Sequence, residues 1–174
     1  MDIKKLDALR KEVLIEMENE FTDELIPAKY SEKDGAEIEE LVVMMDGIDA
    51  GLDDMTSEFF FLPSEEEDEV QFFISLITVE TELNQENIGE LLKAVATINT
   101  YVVAGTFAID AVAGSLVYKL SYPMAISRAN KEDMLLDVEL STGTAMQMVE
   151  SFAYLLCEVN AGTRDSDSVI EILT

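Results

Sequence analysis

Ile3, Leu6, Leu9, Val13, Met17 and Phe21 recur at spacings of three and four, the stripe of an amphipathic helix over residues 3–21. Pro27 and the cluster from Ser31 to Gly35 end it. From Ile38 to Val79 the period shortens and strands fit better than helices. Ile38 to Met45 closes at Asp46-Gly47, Met55 to Leu62 stops at Pro63, and Glu69 to Thr81 is the longest run. Their connections are too short for parallel crossovers, so an antiparallel order is expected. Asn84 is placed to cap a second helix with Ile88, Leu91, Leu92, Val95 and Ile98 on its apolar face.

The stretch GTFAIDAVAGSLVYKL (105–120) returns to alternation. Phe107 and Ile109 point one way against Thr106, Ala108 and Asp110. After Gly114, Leu116, Tyr118 and Leu120 oppose Ser115, Val117 and Lys119, which describes a hairpin with one solvated face. Beyond Pro123, helical spacing runs from Met134 through Val138, Ala145, Val149, Phe152 and Leu156 to Gly162, a candidate C′ glycine. Residues 134–140 also read as a strand, with Ser141 or Thr142 capping a shorter helix. The long helix is preferred, because Gly143 in its interior costs only about 1 kcal/mol. The tail, residues 163–174, is polar at first, and Val169 to Leu173 can dock back.

The order is therefore αβββαββα, with no internal repeat or linker. It predicts an α+β fold in one domain, residues 1–174, with the N-terminal helix in 1–30, and an antiparallel sheet covered by helices on one face. On the longest strand Val70, Phe72, Ile74 and Leu76 share one face, but Phe73, Ile77 and Val79 make the other face apolar too, broken only by Gln71 and Ser75. With helices on one side only, the second face should be polar. Phe60, Phe73, Ile77 and Val79 are therefore the candidate partner or dimer surface, the alternative being burial under the N-terminal helix or the tail.

Charge sharpens this picture. The 37 acidic and 11 basic side chains give a formal charge of -26, which implies self-repulsion and high solubility. No basic residue lies between Lys33 and Lys93, a span that contains the run Glu65 to Glu69. Nucleic acid and anionic membrane are poor partners for such a chain. Hydrophobic content of 48% is that of a folded domain rather than a disordered acidic chain. The N-terminus lacks an apolar signal core and no apolar run approaches ~18 residues, so a soluble cytoplasmic protein is expected.

Candidate chemistry is sparse. The chain has no histidine, which removes the usual general base, the usual zinc ligand and every Ser-His or Cys-His pair. No P-loop or glycine-rich dinucleotide fingerprint occurs, and with acidic residues this common any pair of carboxylates is a chance pair. Asp46 to Asp54 suggests calcium, but Ile48 and Ala50 occupy positions where an EF-hand loop needs oxygen ligands; a turn between strands is the simpler account. Cys157 lies in an apolar run and reads as a small buried hydrophobe. No catalytic residue, cofactor or metal is expected, and the chain is not expected to be an enzyme.

Ile98 to Asp110, continuing through Gly114 to Tyr118, resembles the YbjN-type family of bacterial proteins. There a helix ends in asparagine, a G-x-F-x-hydrophobic-D strand follows, and then a G-x-hydrophobic-x-aromatic strand. By motif the resemblance spans residues 85–162. The first 84 residues carry no matching signature. The family's fold is similar to that of the type III secretion chaperones, which are small, acidic and usually dimeric. The resemblance implies a non-enzymatic, protein-binding or regulatory role, with another protein or a second copy (a homodimer) as partner and no catalytic residues to carry over. Other classes stay open: an acidic immunity or inhibitor protein facing a basic toxin or enzyme, and a small-molecule-binding module.

Overall fold

The computed structural model describes residues 2–32, 38–45 and 55–174. The first helix, α1 (Ile3–Asp23), starts where the Asp2 carboxylate accepts the Lys4 N–H at 2.9 Å. It stops in a Schellman turn in which the Ile26 N–H reaches back to the Phe21 carbonyl at 2.8 Å. Leu25 occupies the left-handed position of that turn with φ 64°, and its side chain is 91% exposed.

Four strands follow where three are expected. The addition is β1 (Ala28–Ser31), which pairs with β2 (Glu40–Met45). Then come β3 (Met55–Phe61) and β4 (Val70–Glu80), the helix α2 (Ile88–Ile98), and the hairpin β5 (Thr106–Asp110) with β6 (Ser115–Ala125). A 3-10 turn at Ile126–Arg128 leads to α3 (Lys131–Ala161) and then α4 (Ser166–Leu173). The strands form one sheet in the order β1-β2-β3-β4-β6-β5, every neighbouring pair antiparallel.

Two sequence expectations shift at helix ends. Residues 134–140 are helix: α3 runs unbroken from its Asn130 cap through Gly143 to Gly162, whose φ of 74° makes the left-handed stop. α2 begins after Asn87, while Asn84 makes a local turn by accepting the Glu86 N–H. Both asparagines are held by Asn160 near the end of α3. Its Oδ1 accepts from the Asn84 N–H, its Nδ2 donates to the Glu82 carbonyl, and its own carbonyl accepts from Asn87 Nδ2. A Cβ on Gly162 would come within 2.6 Å of Asn87 Nδ2, so this position needs glycine for space as well as for φ.

All four helices lie on one face of the sheet, over two apolar cores. In one, Val13, Leu14 and Met17 of α1 meet Leu41, Phe59, Phe61 and Phe73 of the sheet and Val138 of α3. In the other, α2, the second half of α3 and Val169 of α4 cover Ile77, Phe107, Leu116 and Tyr118. The tail thus docks, as α4. Between the cores lie small polar residues, Ser75 on β4 and Ser141 and Thr142 on α3, all buried. Small side chains at this waist let α3 cross close over the sheet.

Arg10 joins the layers at one end. Though 6% exposed, it donates from Nε to Gln71 Oε1 at 2.9 Å, from Nη2 to Ser64 Oγ at 2.6 Å and from Nη1 to Asp7 at 3.2 Å, and it lies 5.5 Å from the Phe61 ring centre. Burial pulls its pKa below the ordinary arginine value, against the opposing effect of Asp7.

Two substitutions test these junctions. Leu25→Gly should raise Tm by about 2 °C, since a left-handed leucine costs roughly 1–2 kcal/mol, more than the ~0.5–1 kcal/mol of glycine's backbone freedom. A lower Tm would mean that the exposed leucine makes a contact worth more than its strain. Arg10→Ala strands the buried Gln71 carbonyl oxygen, at about 1–3 kcal/mol, and should lower Tm by roughly 4–8 °C. Thermal melts of Arg10→Ala with and without Gln71→Leu check the cause, because removing both polar partners should recover part of the loss.

Candidate interaction surface

With the helices on one side, the other side of the sheet is defined by register. Phe60 of β3 pairs with Ile74 of β4, which pairs with Ser121 of β6. One step along, Lys29, Val42, Glu58, Leu76, Lys119 and Thr106 form a row across all six strands. Phe72 and Val70 extend the spine of β4, opposite Pro123 and Ala125. Successive residues of a strand alternate faces, so all of these project away from the helices.

Phe72 and Val70 are 41% and 43% exposed, and Met44 is 51% exposed. Phe60 and Leu76 are half-buried. No described helix contributes to this face. Val70 and Phe72 are the exposed apolar part of β4 here, Ile74 being 1% exposed; Lys29 and Lys119 stand with Glu40 and Glu58, and Glu80 and Asp110 add acid at the strand ends.

Of the four residues expected at a partner surface, only Phe60 is on this face. Phe73 and Ile77 are 0% exposed and Val79 is 6% exposed, all under the helices. The correction has a definite cause. Both faces of β4 are apolar, and Gln71 and Ser75 mark the covered face as if it were solvated. Gln71 tolerates burial because Arg10 satisfies it, and Ser75 because the waist under α3 needs a small side chain. The phase could have been found in the neighbouring strands. Glu58 shares Phe60's side of β3, and Lys119 and Ser121 alternate with the core residues Tyr118 and Leu120.

Side chains occupy one backbone position on each edge of the sheet. On β5 the Asn99 side chain replaces a neighbouring strand: its Nδ2 donates to the Phe107 carbonyl and its Oδ1 accepts the Phe107 N–H, both at 2.9 Å. On β1 the Tyr30 N–H donates to Glu18 Oε1 of α1 at 2.9 Å. Beyond the end of β5, β6 carries Pro123, which has no N–H to offer. These are devices that discourage strand addition, and the exposed apolar side chains of the sheet are those of Val70, Phe72 and Met44 on its face.

The 105–120 hairpin is scaffold. The Tyr118 hydroxyl donates to the Ala104 carbonyl, and burial pushes its pKa up to about 12. A Cβ on Gly105 would come within 2.3 Å of the Tyr118 hydroxyl oxygen. Asp110 accepts the Val112 and Ala113 N–H groups of the turn, bonds that hold its carboxyl below its usual value.

A cavity of about 350 Å³ between α1 and the β2–β3 end is lined by Asp7, Arg10, Lys11 and Phe61 among others. Its basic groups already bond to Gln71, Ser64, Asp7 and Glu32. Among the described residues no group of three or more His, Cys, Asp or Glu side chains is arranged to hold a metal, and no helix is long and apolar enough to cross a membrane. The Asp46 to Asp54 turn lies outside the described residues. Cys157 is half-buried on α3, packed against the core.

No family model matches the chain. No curated protein matches it either. Among solved structures it is similar to YbjN from E. coli, described as a candidate transcription regulator, at 14% identity over 86% of this chain and 92% of that one, with a TM-score of 0.44. The likeness is weak, and the topology above rests on this chain's own strand register.

The face assignment predicts opposite fates for two adjacent phenylalanines. Phe72→Asp should keep the wild-type far-UV circular dichroism and a cooperative melt, because its side chain leaves the core untouched. Phe73→Asp should lose both, since emptying a buried phenylalanine site costs ~3–5 kcal/mol before the penalty of a buried charge. Equal effects would reject the assignment.

Proposed function

We propose that this chain is a non-enzymatic binding protein of the cytoplasm that holds a polypeptide against the open face of its sheet. The reading takes its manner of action from the small acidic secretion chaperones, whose fold is similar to that of the family the sequence resembles. The observation that carries it is the row of Val70, Phe72 and Phe60 on a sheet face that no described helix covers. Apolar side chains give such a face affinity without specific chemistry, and the acidic surroundings keep the complex dissolved while rejecting other anionic proteins. The sealed edges favour capture by the face over strand addition.

The test is capture from the native host with tagged protein, comparing wild type with Phe60→Asp and Phe72→Asp. The expected result is that polypeptides retained by wild type, including untagged copies of this chain, are lost with both variants while their melts stay cooperative. Identical retention by wild type and variants would overturn the reading.

A second reading is supported by the exposed run Glu65 to Glu69 in the β3–β4 connection: an acidic immunity or inhibitor protein that neutralises a basic toxin or enzyme. Salt separates the two. Retention that persists at about 0.5 M salt supports apolar capture, and retention that collapses supports charge neutralisation.

A further inference from the structure

We propose that the open sheet face takes a cationic amphipathic helix of another polypeptide, its apolar stripe seated where β4 begins and its lysines or arginines turned to the connection that precedes β4. The proposal rests on the reading of that face as an interaction surface and names the chemistry of its partner. At this end of the sheet Leu62, Phe72 and Pro123 make one row across three neighbouring chain segments. The Leu62 N–H, just beyond β3, donates to the Phe72 carbonyl at 2.9 Å, and Phe72 pairs with Pro123 of β6. Beside this row stand Val70, opposite Ala125, and Phe60, opposite Ile74. Leu62, Phe72, Pro123, Val70 and Ala125 are exposed and Phe60 is half-buried. The row is apolar at every position, whereas the row through Leu76 carries Glu58 and Lys119.

Shape favours a helix. Segments about 4.8 Å apart set Leu62 and Pro123 about 10 Å from each other, close to the width of one helix with its side chains, about 10–12 Å. From Val70 to the level of Phe60 the patch runs four residues along β4, about 13 Å, or between two and three helical turns. A helix packs on a sheet through one apolar stripe, and it needs no free edge.

Charge decides the sign of the partner. The connection from Leu62 to Val70 contains Glu65, Glu66, Glu67, Asp68 and Glu69, all exposed and each at most four residues from the patch along the chain. Its far end is tied beside β6, where the Ile126 N–H donates to the Glu69 carbonyl at 2.9 Å. Asp68 is engaged locally, accepting the Glu65 N–H at 2.8 Å. Glu65, Glu66, Glu67 and Glu69 are ion-paired with no described residue. The exposed base that follows β6 at this end is Arg128, outnumbered by these acids. Charges act over about 8 Å at physiological salt, so the connection acts on groups that flank an apolar stripe on the patch. It repels an acidic helix and attracts a basic one.

Fluorescence anisotropy of labelled model peptides on the full chain tests this. One peptide of about 18 residues, long enough to form a helix, has leucines at helical spacing and lysines elsewhere. A second replaces the lysines by glutamates, and a third scrambles the first so that no apolar stripe forms. Wild type is expected to bind the first at least about tenfold more tightly than either other peptide. Phe72→Asp should weaken that binding by about tenfold even though it adds an acid. Glu65→Gln, Glu66→Gln and Glu67→Gln together should weaken it about as much. Glu139→Gln, Glu150→Gln and Glu171→Gln remove the same charge from exposed positions on the helices and should leave it within about twofold. Circular dichroism confirms that each variant is folded. Equal binding of the lysine and glutamate peptides, equal losses in the two triple variants, or lysine-peptide binding that Phe72→Asp does not weaken overturns the proposal, as does no binding at about 100 μM protein. Polypeptides captured from the native host that are lost with Phe72→Asp but kept by the triple variant at 65–67 then leave the broader binding reading standing. Capture unchanged by every variant removes that reading as well.

Discussion

β4 runs through the middle of the sheet with apolar side chains on both faces, so a slip of one residue would cost it little burial. What such a slip would break is the hydrogen bond from Arg10 Nε to Gln71 Oε1, along with the fit of Ser75 beneath α3. Because side chains alternate strictly along a strand, this choice of phase decides the face of every residue in β4 and, through pairing, in β3 and β6. The covered cores, the open spine and the row through Glu58 and Lys119 all follow from it. A buried polar pair is costly to leave half-made, which makes it a sharper selector of register than another apolar contact would be.

Charge acts as the complementary constraint. The helix layer carries much of the acid, and where α1 approaches α3 the like charges are felt: partial desolvation, then Glu139, Glu16 and Glu24, hold the Glu20 carboxyl above its usual value. A carboxylate raised in this way opposes folding once ionised, so its contribution favours the fold below its unfolded pKa and is lost as pH rises through the folded one. Glu90 runs the other way. Lys93 and Ser166 hold it down at about 2, and its stabilising contribution is lost only as pH falls toward that value.

Much of this architecture was legible in the sequence where periodicity is strong. The stripe from Ile3 to Phe21 became α1, and the spacing from Met134 to Val159 became a helix that Gly143 does not interrupt. β1 was not legible, because Ala28–Ser31 is four residues long and depends on β2 and on Glu18. The phase of β4 was not legible from β4 alone. Gln71 looks like a solvent-facing residue until Arg10, 61 positions away in the chain, is brought to it by the fold. That single misreading sent Phe73, Ile77 and Val79 to the wrong face and passed over the exposed Val70 and Phe72, while Phe60, on β3, lies on the side away from the helices.

Asn99 and Glu18 settle one further matter. A sheet with bare edges can recruit strand after strand, and association of that kind has no natural end point. With the Phe107 backbone occupied on one border and the Tyr30 amide on the other, each edge offers an incoming strand an interrupted ladder. Two hydrogen-bonding side chains at the periphery thus blunt growth of the sheet strand by strand.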